Sequence, residues 1–97
     1  MKIEYHPLTT SDLNNAVAYY NKRRVGLGDE FRFEVYAAID RIAENYLGYA
    51  EIEQDIRRCL VRRFPYSVVF RVVDARTILI LVIRHHRRHP RFGLGRR

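Results

Sequence analysis

Tryptophan is absent from this 97-residue chain, and cysteine occurs once, at Cys59. A lone thiol excludes an intramolecular disulfide and is expected in a reducing, cytoplasmic compartment. Long apolar runs are also missing. The stretch richest in branched apolar residues, VVFRVVDARTILILVI (68–83), is interrupted by Arg71, Asp74 and Arg76. A membrane-spanning helix needs about 18–20 consecutive apolar residues, so none is expected. MKIEYHPL at the N-terminus lacks an apolar segment followed by a small-residue cleavage site, which argues against a secretory signal. Only two serines occur, Ser11 and Ser67, and neither stands in a nucleophile-elbow motif. Gly26, Gly28, Gly93 and Gly95 are not spaced as a phosphate loop, so nucleotide-dependent chemistry is not indicated and no cofactor is expected.

Beyond residue 56 there is no lysine and one acid, Asp74. Residues 57–97 carry twelve arginines, a net charge of +11, whereas residues 1–56 carry six Lys/Arg against ten Asp/Glu, a net −4. The overall +7 therefore belongs to the second part of the chain. A guanidinium grips phosphate or carboxylate in a planar two-point fork that an ammonium does not offer. An anion-rich partner is the expectation: RNA, DNA or an acidic protein segment.

At this length one domain spanning 1–97 is expected, close to the lower limit at which a single core suffices. KIEY (2–5), bounded by Pro7, alternates as a short strand. Thr9 followed by Asp12 has the spacing of a capping box, and Leu13, Val17 and Tyr20 continue a first helix towards KRR. After the glycines of VGLGD, the series Leu27, Phe31, Val35, Ala38, Ile42 and Tyr46 predicts a long amphipathic second helix with Asp29 and Glu30 in its first turn. Residues 47–55 have no period and read as a loop. From Ile56 the period becomes two, and IRRCLVRRF, YSVVFRVV and RTILILVI predict three antiparallel strands, the last two joined by a tight reversal at Asp74–Ala75. The last strand is apolar on both faces and is placed centrally. The expected class is α+β: an N-terminal strand and an antiparallel helix hairpin packed on a small, mostly antiparallel sheet.

Candidate chemistry concentrates at the end of the chain, in RHHRRHPRFGLGRR (84–97). The spacings of His85, His86 and His89 could hold a transition metal, but the arginines around them and the lack of carboxylate or thiolate argue against it. Cys59, flanked by Arg58 and Leu60 in an alternating strand, reads as a core filler. Metal-free cleavage of RNA needs a proton acceptor, a proton donor and cations for the phosphorane-like transition state. Histidines and arginines in one segment are compatible with that, and equally with phosphate binding or with a solvated basic face. RHHRRHPRF is expected to be ordered beside the basic sheet and GLGRR to be flexible.

Three stretches resemble, in order, the RelE/ParE superfamily of type II toxin–antitoxin toxins: AVAYYNKRRVGLGDEFRFEVYAAIDRIAENY, IRRCLVRRFPYSVVFRV and HHRRHPRF. The similarity covers nearly the whole chain and is greatest to the ParE branch. It implies a helix hairpin against a small antiparallel sheet and a small, basic, cytoplasmic toxin. It also implies a hetero-oligomer with a cognate ParD- or RelB-like antitoxin whose C-terminal segment wraps and neutralises it. On that resemblance Tyr19, Tyr20, Arg57 and Arg63 are candidates for antitoxin contact, with core packing for the tyrosines and solubility for the arginines as the plain alternatives. ParE-like members poison DNA gyrase; RelE-like members cleave ribosome-bound mRNA. Candidates for contact with the target or an anion are Arg58, Arg62, Arg71, Arg87, Arg88, Arg91 and Phe92. For a nuclease, His85 or His86 would exchange the proton and Arg62, Arg87 and Arg88 would hold the phosphate. Two departures lean towards gyrase: Phe92 stands where cleaving relatives carry an aromatic hydroxyl, and Ser67 where several carry an arginine.

Overall fold

The computed structural model describes residues 1–97. In chain order it contains β1 (Lys2–Tyr5), α1 (Thr9–Arg23), α2 (Leu27–Asn45), a 3-10 turn (Tyr46–Gly48), β2 (Glu51–Glu53), β3 (Ile56–Leu60), β4 (Tyr66–Asp74) and β5 (Thr77–His85). The strands form one sheet in the order β1-β5-β4-β3-β2. β1 runs parallel to β5, and every other pairing is antiparallel. This is the α+β architecture expected from the periodicity, with one parallel pair. No helix is long and apolar enough to cross a membrane.

The helix hairpin forms because each helix offers one apolar stripe to the same sheet face. α1 buries Leu13, Ala16 and Val17; α2 buries Phe31, Val35, Ala38, Ile39 and Ile42. They meet Val68 and Phe70 of β4 and Ile78, Ile80 and Ile83 of β5 in a cluster of sixteen buried residues. Full burial of one such side chain contributes about 1.5–3 kcal/mol, so this face supplies most of the driving force. The connection between the helices is short because Gly28 allows it. A Cβ at that position would lie 2.3 Å from the Val17 carbonyl oxygen. Its N–H donates to Asn21 Oδ1 at 2.7 Å, so Gly28 belongs to the first turn of α2 rather than to a break before it.

The opposite face carries a second, smaller cluster: Ile56, Val69, Leu81, Val82 and Leu94, with Leu79 and Phe92 packed against it. Leu81 and Val82 are consecutive, yet both join it because the register shifts there. Val69 pairs with Val82 and Phe70 with Ile80, leaving Leu81 as an extra residue that bends the strand.

Four expectations are corrected. No capping box forms: Thr9 is the first helical residue and its hydroxyl donates to the His6 carbonyl at 2.7 Å. Asp12 turns away from the helix end to accept from the Ile83 N–H and pair with Arg96, a better-buried role for its charge. Residues 47–55 are not all loop, since Glu51–Glu53 add an edge strand to β3, held by pairing rather than by an apolar pattern of its own. β5 is interior, between β1 and β4, but the middle position belongs to β4. Finally, GLGRR is docked. Leu94 is buried, Arg96 forms a two-point ion pair with Asp12 at 2.7 and 3.2 Å, and its Nη1 also donates to the Leu81 carbonyl at 2.9 Å. Gly93, at φ 84°, lies so close to Val82 that a Cβ would stand 2.7 Å from it.

Candidate functional site

The strand register decides which charges share the face opposite the helices. Leu60, Ser67 and Arg84 lie in one row across β3, β4 and β5; Arg58, Val69 and Val82 form the next; Ile56, Arg71 and Leu79 form the third. Arg58 is thus a diagonal neighbour of Ser67. After β5 the chain turns, placing His86, Arg88 and Pro90 over the same end of the face. Together Arg58, Leu60, Ser67, Arg84, His86, Arg88 and Pro90 line a hollow of about 190 Å³ that contains no carboxylate.

Arg84 is buried, an unusual state for an arginine. Its Nη1 donates to the carbonyls of Pro90 and Phe92, which fastens the segment after β5 to the sheet. Burial first, and then the charge of Arg58, hold its pKa below the ordinary arginine value. A guanidinium stays protonated at any working pH, so this depression is a cost to the empty fold and not a titration. Ser67, also buried, has its Oγ 3.1 Å from His86 Nε2. None of Arg58, Arg84 and Arg88 joins the ion pairs of the molecule, which engage Arg24, Arg57, Arg63, Arg91, Arg96 and Lys2.

The two adjacent histidines are divided. His85 is in register with Tyr66 on the helix side, its ring 5.0 Å from the Tyr66 ring, while His86 faces the cationic hollow. His85 Nδ1 accepts from the Arg87 N–H at 2.9 Å. Burial, Arg87 and His86 push its pKa down. It lines an adjoining groove of about 220 Å³ with Asp12, Tyr19, Tyr66 and Phe92, and this groove shares Arg84 and Arg88 with the hollow.

The remaining candidates are dispersed. Arg62 borders a third, wider cleft with Arg41, Tyr49, Cys59 and Leu60. Arg71 stands two same-face steps from Ser67, roughly 13 Å along the strand. Arg87 is exposed in the turn after β5. Arg91 pairs with Glu53 at 3.1 Å, Arg57 with Glu51 at 3.1 Å, and Arg63 with Glu30 at 2.7 Å. Phe92 is stacked by two guanidiniums, Arg88 at 4.4 Å and Arg96 at 5.4 Å. Tyr19 is half exposed beside α1, whereas Tyr20 belongs to an aromatic group with Phe31, Phe64 and Tyr66. Arg84 escaped the sequence reading, although its phase held a signal: it continues the alternation of Val82 and so points at the sheet face, where a charge needs a reason.

A helix hairpin on one side of a five-stranded sheet and an arginine-lined face on the other define a small basic α+β domain. The family model described as "ParE toxin of type II toxin-antitoxin system, parDE" matches residues 3–90, and the chain belongs to that family. It is therefore a toxin of a type II system, and its partner is a cognate antitoxin. No curated protein matches it in sequence. Among solved structures, a chain of the chromosomal ParDE TA system from P. aeruginosa superposes with a TM-score of 0.75. That match has 18% identity and covers 88% of this chain and 95% of the other, which shows the same fold.

Proposed function

We propose that this toxin acts by binding DNA gyrase and poisoning it, without cutting RNA. The observation that carries the reading is the division of the two histidines: His85, at the end of β5, faces the helix side of the sheet, and His86, in the turn after it, lines the cationic hollow. Metal-free phosphodiester cleavage needs a proton acceptor and a proton donor converging on one phosphate. In the cationic hollow His86 is the only imidazole and no carboxylate stands beside it, and its Nε2 is engaged by Ser67. Phe92, which has no hydroxyl, serves as a platform for Arg88 and Arg96. The arrangement suits holding an anionic surface better than turning over a substrate. The antitoxin would relieve this by covering the exposed arginines with an acidic segment and the half-exposed Tyr19 with an apolar one.

Purified toxin added to gyrase should abolish supercoiling at near-stoichiometric amounts, and ribosome-bound mRNA should stay intact under the same conditions. Supercoiling that continues at stoichiometric excess, together with mRNA cleavage lost in His86→Ala, would overturn the proposal in favour of a ribosome-dependent nuclease.

A further inference from the structure

We propose that the hollow formed by Arg58, Ser67, Arg84, His86 and Arg88 is a binding site for one phosphate group, carried by a nucleotide or a nucleic-acid strand. Three unpaired guanidiniums converge there from β3, from β5 and from the turn after it, with no carboxylate among the lining residues. A merely solvated basic face would point its charges outward. Arg84 instead is buried, with Nη1 fixed by two carbonyls and no protein acceptor for its other N–H groups. Those donors of Arg84 are held in place before any ligand arrives, which removes the ordering cost of that one side chain.

The chemistry around Arg84 fits a tetrahedral oxyanion. Guanidiniums give charge-assisted two-point hydrogen bonds, and Arg84, Arg58 and Arg88 approach from different directions, as a group with several equivalent oxygens requires. The Ser67 hydroxyl, now against His86, adds a neutral donor at the floor. At about 190 Å³ the hollow has room for a phosphate and a few waters, each water taking about 30 Å³. Mutual repulsion of Arg58 and Arg84 strains the empty site, and a bound anion relieves it. The site stands independently of gyrase as the target, because it is read out by binding alone.

The test is a titration of the full-length toxin with inorganic phosphate at constant ionic strength, followed by amide and His86 ring resonances. A mononucleotide and a short single-stranded oligonucleotide are titrated in the same way. One saturable site is expected. Arg58→Ala should weaken it roughly tenfold or more, since a charge-assisted contact is lost. Arg76→Ala removes the same charge at the far end of the β4–β5 hairpin and should change it less than about twofold, as distant exposed charges are screened. Ser67→Ala provides a second variant that leaves the charge untouched and should also weaken binding. Tighter binding of the oligonucleotide with the same dependence on Arg58 identifies a strand as the phosphate source; equal affinity for the mononucleotide identifies a free phosphate ester. Absence of saturation, or equal weakening by Arg58→Ala and Arg76→Ala, overturns the proposal and leaves only diffuse attraction by a basic surface.

Discussion

On its helix side the sheet meets sixteen buried residues in one cluster, among them Phe31, Phe70 and Ile80; on the other side it meets five, and Asp12, Arg84 and Arg96 do much of the remaining fastening. The helix side is held by area removed from water, which is strong but not directional. The opposite side is held by a few polar contacts of fixed geometry, which are weaker in sum and exact about position. That contrast explains how a 97-residue toxin accommodates unpaired cations. Folding is driven from one face, and the other is free to keep charge concentrated for a partner.

The largest expected effect comes from cutting into the helix side. Phe70→Ala empties a fully buried position and should lower stability by about 4 kcal/mol in urea unfolding. A loss under about 1 kcal/mol would mean that the main core does not dominate. On the opposite side, Asp12→Ala leaves Arg96 without its partner and the Ile83 N–H without an acceptor, and should cost about 3 kcal/mol. Amide exchange in residues 91–96 should speed up in that variant before the helices are affected. Unchanged protection there would show that the segment is held by Leu94 and Phe92 alone.

The smallest effect is that of acid. His85 has its pKa lowered from 6.5 by burial and by Arg87 and His86, and Glu30 has its own lowered from 4.5, chiefly by the hydrogen bond from Arg63. In both cases the unfolded chain binds protons more readily than the folded one, so stability falls on acidification. The loss begins as pH drops through about 6.5 for His85, and a second loss follows below about 4.5 for Glu30. A urea midpoint that is constant from about pH 7.5 to 5.5 would remove His85 from the account.

Much of the fold was legible because it depends on local period. The spacing from Leu27 to Tyr46 can be satisfied only by a helix with one apolar face, and the switch at Ile56 only by strands. Asp12 was misread because the capping pattern and the real role share the same residue; the choice was made by Ile83 and Arg96, far away in sequence. β2 was invisible because a three-residue edge strand is held by its neighbour. GLGRR looked flexible because glycine and arginine are common in mobile ends, whereas here Gly93 is required by contact with Val82 and Arg96 by Asp12.

The sequence by itself determined the charge, the family resemblance, the helix hairpin and the strand-rich second half, because composition and periodicity are local properties of the chain. Only the tertiary structure decided which arginines remain unpaired, that His85 and His86 face opposite ways, and that Arg84 is buried beside Ser67. Those outcomes depend on strand register and on the path of the chain after β5, which bring together residues up to 84 positions apart, as in the pairing of Arg96 with Asp12.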